Sequence, residues 1–190
     1  DDGDMCDEEG WYYFGSNGKM YKDFNKKKVN GKYYFFNKHG QMLYEWINGS
    51  PMEAGTPTNA VADGKVPEAS ASSAQAGNMI YANQVEEGWR ADGWYEIDGA
   101  EDSGASDDTD WYYFKDGKAK RADKAGQQFT YPNGGKTKST AKIKVNGKYF
   151  CFNEIGQMQT GLQYIPDAGG FYYFDDNGYM KTGKVSNVEE

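Results

Sequence analysis

The chain is poor in the residues on which most enzymes and crosslinked domains depend. Its 190 residues include two cysteines and one histidine. Cys6 and Cys151 stand 145 residues apart, which implies no disulfide framework, and free thiols are expected. His39 has no histidine or cysteine near it in sequence, so it suggests neither a metal site nor a proton shuttle. Aliphatic residues are few, and the mean hydropathy is -0.94. No run approaches the ~20 apolar residues of a membrane-spanning helix, so no membrane insertion is expected. Cations are outnumbered, 21 Lys and Arg against 29 Asp and Glu, for a formal charge of -8. Binding nucleic acid or an anionic membrane needs clustered positive charge, so neither is expected as the main partner. No nucleophile elbow or zinc spacing is present. Gly134-Gly135-Lys136-Thr137 ends like a phosphate loop, but Thr130 replaces its first glycine and no helical pattern follows. The reading is not an enzyme, with no cofactor. Residues 1–9 contain six acids and do not read as a secretion leader; they form an acidic segment ahead of one domain at 10–190.

Aromatic residues and glycine are plentiful: 16 Tyr, 10 Phe, 5 Trp and 25 Gly. Twenty of the aromatics fall in six four-residue blocks, at 11–14, 33–36, 79–82, 111–114, 149–152 and 171–174. A glycine follows each block start by six to nine residues, and methionine recurs two residues later as Met20, Met42, Met158 and Met180. Such a register marks internal repetition. Block starts are separated by 22, 46, 32, 38 and 22 residues, which gives a unit of about 22 residues with three insertions. These lie at about 48–77, 100–110 and 124–140. The first, with Pro51, Pro57 and Pro67, reads as a flexible loop. The second is acidic and lacks the ligand spacing of a calcium loop, so it reads as solvated. All three are expected at the hairpin tip.

Four successive aromatic or β-branched residues favour a pleated, half-buried strand. Val-Asn-Gly-Lys precedes two blocks, at 29–32 and 145–148. Asn-Gly between strand-like runs predicts a type I′ hairpin turn. This register sets Lys28 opposite Tyr33 and Lys26 opposite Phe35, with Phe24, Tyr33 and Phe35 on one face. In the second hairpin it groups Ile143, Val145, Phe150 and Phe152, leaving Lys142, Lys144, Tyr149 and Cys151 on the other face. A lone hairpin is marginal in water, so the units must stack. The expected fold class is all-β, a β-solenoid of about six stacked hairpin units.

Gly10-Trp-Tyr-Tyr-Phe-x-x-x-Gly-x-Met20, followed by Asn30-Gly-Lys-Tyr-Tyr-Phe35, resembles the choline-binding or cell-wall-binding repeat of Gram-positive surface proteins. That family is related to glucan-binding and clostridial toxin repeats. The resemblance implies a non-catalytic, extracellular, cell-wall-associated module that holds choline or choline-substituted teichoic acid in aromatic cages between hairpins. Carried over by position, it implies three cages: Phe24 with Tyr33 and Trp46, joined by Met42; Trp46 with Tyr81 and Trp94; and Trp94 with Trp111 and Tyr113. Asp123, Leu162 and Lys184 replace the required ring towards the C-terminus. Two alternatives stand beside this reading. One is a glucan-binding repeat; the other is a structural or adhesin stalk whose tip loops meet a protein partner.

Overall fold

The computed structural model describes residues 10–22, 24–37, 39–48, 58–59, 77, 79–83, 87–98, 109–122, 130–136 and 139–186. The acidic segment with Cys6 and most of the three insertions lie outside them. Among the described residues the named strands form five small sheets, all with antiparallel pairing. They are β1 (Phe24–Val29) with β2 (Lys32–Phe36), then β3 (Glu45–Asn48) between β4 (Thr58–Asn59) and β5 (Met79–Ala82). β6 (Gly93–Asp98), β7 (Thr109–Lys115) and β8 (Lys118–Ala119) form the next sheet, followed by β9 (Thr140–Val145), β10 (Lys148–Asn153) and β11 (Met158–Gln159). β12 (Gly161–Ile165), β13 (Gly170–Phe174) and β14 (Met180–Lys181) form the last. The chain is all-β, as its patterning indicates.

Five of the six aromatic blocks are strands: β2, β5, β7, β10 and β13. Block 11–14 makes a single bridge, Phe14 to Met20. The same bridge recurs in every unit, joining the fourth block residue to the methionine position: Phe36 to Met42, Ala82 to Arg90, Phe114 to Ala119, Phe152 to Met158 and Phe174 to Met180. The weak third block is therefore aligned at Met79. In three units an Asn or Asp directly after the block closes the turn to this bridge. Asn37 Oδ1 accepts from the backbone N–H of His39 (2.9 Å) and Gln41 (3.0 Å). Asn153 does the same for Ile155 and Gln157, and Asp175 for Asn177 and Tyr179.

Both Asn-Gly turns have the two positive φ angles of type I′, 47° and 83° at Asn30-Gly31 and 47° and 86° at Asn146-Gly147. Asp116-Gly117 (54° and 77°) makes a third between β7 and β8, which the Asp-Gly dipeptide signals equally well. The β9–β10 register runs from Val145 opposite Lys148 to Thr140 opposite Asn153, and Val145, Phe150 and Phe152 cluster with Ile143 packed against them. Two expectations need correcting. Lys28 does oppose Tyr33, but a shift between Phe24 and Lys27 sets Phe24 opposite Phe36, so the Lys26–Phe35 pair does not form. Cys151 lies on the face away from Phe150 and Phe152, as expected, and is fully buried there with Ile165 and Phe174 from the following unit. The third insertion precedes β9 and does not enter its tip, because a two-residue turn already joins β9 to β10. The other two do separate paired strands, β3 from β5 and β6 from β7.

Successive units touch through one repeated contact. The side chain at the methionine position packs on the turn glycine of the next unit. A methyl group at Gly40 would lie 2.7 Å from Met20 Cε, at Gly117 2.8 Å from Arg90 Cγ, at Gly156 2.7 Å from Ala119 Cβ, and at Gly178 2.5 Å from Met158 Sδ. Gly88 meets Met42 in the same way. All five glycines have positive φ, which L side chains rarely adopt.

Gly178→Ala is expected to combine left-handed strain of ~1–2 kcal/mol with overpacking of ~1–3 kcal/mol. Gly147→Ala, with open space around it, should cost only the first. Urea unfolding of both, and of Gly178→Ala combined with Met158→Ala, checks this; the second substitution should recover part of the loss. Cys151 is a free thiol whose burial, slightly offset by a hydrogen bond with Thr140, raises its pKa to about 12. At pH 8 it should resist a thiol reagent in the folded protein and react on unfolding, as counted by mass spectrometry.

Candidate functional site

The implied cages are only partly assembled. Trp46 is 2% exposed and sits edge-on to Tyr81 (5.1 Å) and Tyr112 (5.3 Å) in an apolar cluster with Phe114. It offers no open face, which corrects the expectation that it serves two cages. The physical reason is its position: β3 pairs Trp46 with Tyr81, and β7 covers both rings with Tyr112 and Phe114. Tyr33, expected beside Phe24 and Trp46, is occupied by Arg90, whose guanidinium lies 4.3 Å from the ring centre and is held by Asp116 at 2.8 Å. For Phe24 only the backbone is described. Trp94 enters a different cluster from Trp46 and Tyr81, so the second trio is not brought together.

The third trio meets. Trp94 pairs with Tyr113 across β6 and β7, their ring centres 5.2 Å apart, and Trp111 lies on the same face of β7 at 6.5 Å from Trp94. The crevice that opens here is completed by residues the sequence reading did not assign to it. It has a volume of ≈ 280 Å³ and is lined by Trp94, Trp111, Phe150, Met158, Asp176, Asn177 and Tyr179. Phe150 of β10 stands edge-on to Trp94 at 4.8 Å, and Tyr179 lies 5.5 Å from Phe150. Trp111 (41%) and Tyr179 (36%) are exposed, whereas Phe150 is 7% exposed and forms the floor. The walls come from three successive units.

Tyr179 is positioned by its turn. Asp175 Oδ1 accepts the Tyr179 backbone N–H at 2.9 Å, and Gly178 seats the turn on Met158 and Phe150. Lys181, 2.8 Å from the Asp175 carboxylate, holds that carboxyl below its usual range. Towards the C-terminus, where Leu162 and Lys184 stand in place of a ring, Tyr179 supplies an aromatic from the Gly-x-Met turn. Its counterpart in the third unit is Trp89. Each is capped by the lysine of the preceding Asn-Gly-Lys turn: Lys32 lies 3.3 Å from the Trp89 ring centre and Lys148 lies 4.1 Å from that of Tyr179.

Electrostatically the crevice is lined by one acid, Asp176, and no base. Among the described residues no cation lies over Trp94 or Trp111. The rings cross steeply, Trp94 with Trp111 at 72° and with Phe150 at 62°, so they surround a compact group and offer no flat platform. A second crevice of ≈ 230 Å³, lined by Trp11, Tyr12, Tyr13, Val29, Tyr34, Phe36, Met42 and Glu87, has the same character, aromatic with one acid and no base. Rings beside a carboxylate, with no base in the lining, suit an organic ammonium ion.

Trp46→Ala is expected to cost ~3–5 kcal/mol of stability, as removal of a buried large ring does. Trp46→Phe should fold and leave the Trp94 crevice intact, seen as unchanged acrylamide quenching of the exposed tryptophans.

A family model described as the putative cell wall binding repeat matches residues 6–20, 27–42 and 160–180. No curated protein matches the chain. Among solved structures, choline binding protein F from Streptococcus pneumoniae is 22% identical over 90% of this chain and 38% of its own, with a TM-score of 0.47. In the presence of a peptidoglycan analogue it is 22% identical over 93% and 39%, with a TM-score of 0.49. The endolysin from phage Cp-1 complexed with choline is 18% identical over 95% and 39%, with a TM-score of 0.35. The chain thus spans less than two fifths of the length of these structures.

Proposed function

We propose that this chain, which carries cell-wall-binding repeats, is a non-catalytic extracellular module that attaches a protein to choline-bearing wall polymers. Its site is the crevice of Trp94, Trp111, Phe150 and Tyr179. The observation that carries this reading is a set of steeply crossed rings beside one carboxylate, with no cation in the lining. A trimethylammonium group has no N–H to donate and is attracted to ring faces, at ~0.5–2 kcal/mol per ring. Two or three such faces give ~4 kcal/mol, or a dissociation constant of ~1 mM. Engagement of the second crevice, near Trp11, by the same polymer adds avidity without new contacts. In this reading the units of domain 10–190 stack as a β-solenoid through the glycine contact, which keeps crevices between layers.

The crossing angles favour this reading over glucan, whose pyranose faces need flatter stacking. A stalk that meets a protein through its tip loops would leave the crevice without a ligand.

Retention on a tertiary-amine resin tests the reading. Because the chain carries a charge of -8, elution by choline is compared with elution by sodium chloride at equal ionic strength. Choline should elute selectively, and Trp111→Ala should weaken choline binding about tenfold, or ~1.4 kcal/mol. Equal elution by both salts, or wild-type affinity in the variant, would overturn it; a tryptophan fluorescence response to dextran but not choline would favour glucan.

A further inference from the structure

Among the described residues, the contact that stacks one unit on the next leaves an unmatched half at each end. Six turn glycines follow the blocks, from Gly18 to Gly178, and six side chains hold the methionine position, from Met20 to Met180. Five pairs form, each between a side chain and the glycine of the next unit, and those five glycines are buried. Gly18 is left over. It is exposed, with open space where a methyl group would stand. Met180 is the side chain left over. It packs back on the cluster of its own unit, as Met158 does, but among the described residues no further turn glycine meets it.

A second contact repeats in parallel. The third block residue of one unit packs in a cluster with the fourth of the next: Phe35 with Ala82, Tyr81 with Phe114, Tyr113 with Phe152 and Cys151 with Phe174. The fourth block residue is buried in five units, at 2% exposure or less, whereas Phe14 is 59% exposed. Phe174 is fully buried in the last unit, so this burial is supplied by the unit before, and that layer is what Phe14 lacks. Trp11 (56%) and Tyr13 (37%) are exposed on the same block. At the other end Tyr173 is the third block residue with no fourth residue to cover.

We propose that the first unit, at residues 10–22, is an interaction surface for a second copy of this chain, which docks through its last unit, Met180 on Gly18 and Tyr173 over Phe14. The occupant is set by the interface that already recurs inside the molecule. A turn glycine and a fourth block residue are covered here by the preceding unit, and in a solution of identical chains the last unit offers the matching side chains. The two docking surfaces differ, so the contact is heterologous and each copy keeps one free end. Association therefore runs head to tail and is not limited to a two-fold dimer. One layer is a small interface, which makes the assembly weak and concentration-dependent. The inference goes beyond the proposed function and does not depend on what the crevices bind.

Sedimentation velocity of the full chain, over a wide range of concentration, tests this. The wild type should gain mass with concentration. Gly18→Asn fills the socket with a residue that tolerates the left-handed turn, and Met180→Glu places a charge on the side chain that enters it. Each alone should weaken self-association at least about tenfold. Mixed in equal amounts they should form a 1:1 complex and stop there, because the first keeps Met180 and the second keeps Gly18. Phe14→Ser and Tyr173→Ser repeat the pair at the second contact if either variant fails to fold. A wild type that stays monomeric, variants that associate as the wild type does, or a mixture with no 1:1 complex would overturn the proposal. So would a monomeric wild type whose 10–190 chain assembles, since that result gives the socket to residues 1–9.

Discussion

Close packing of a side chain onto a turn glycine is the constraint on which the rest of this structure depends. A hairpin of four to seven residues per strand cannot bury both faces by itself. Here each unit inserts its methionine-position side chain, or the Arg90 or Ala119 that replaces it, against the positive-φ glycine of the next. The glycine does two jobs at once: it allows the left-handed turn and leaves room for the neighbour. Small apolar clusters then form across neighbouring units, as when Cys151 of one packs on Ile165 and Phe174 of another.

The same contact sets where rings are sealed and where they stay open. In the middle units the strand pairing of Trp46 with Tyr81 lies under Tyr112 and Phe114, and the tryptophan becomes core. One interval later, Gly178 rests on Met158 and Phe150, and the turn carries Tyr179 out to the rim. The crevice is therefore a by-product of stacking: its floor is a packed ring and its rim consists of exposed ones.

Charge divides the aromatic surface a second time. Arg90 covers Tyr33, Lys32 covers Trp89, and Lys142 lies between Tyr149 and Tyr172. These contacts hold neighbouring units together with the attraction that would bind an external ammonium ion, and at the rim of the Trp94 crevice Lys148 covers Tyr179 in the same way. The absence of any base from the lining around Trp94 and Trp111 is what separates that crevice from the covered rings.

The repeat, the strands at five of the blocks, the Asn-Gly turns and the β9–β10 register could all be read from sequence, because alternation, turn dihedrals and spacing are local properties. The Asp116-Gly117 turn and the Asn or Asp after four of the six blocks were equally legible signals, though they carry meaning only once the bridges are known. Tertiary structure alone decided which rings are exposed. Trp46 and Trp94 hold the same place in neighbouring hairpins, opposite Tyr81 and Tyr113, the third residues of their blocks, yet one is sealed and the other lines a crevice. The difference arises from the layer stacked against each, which brings a second sheet over one and a turn beside the other.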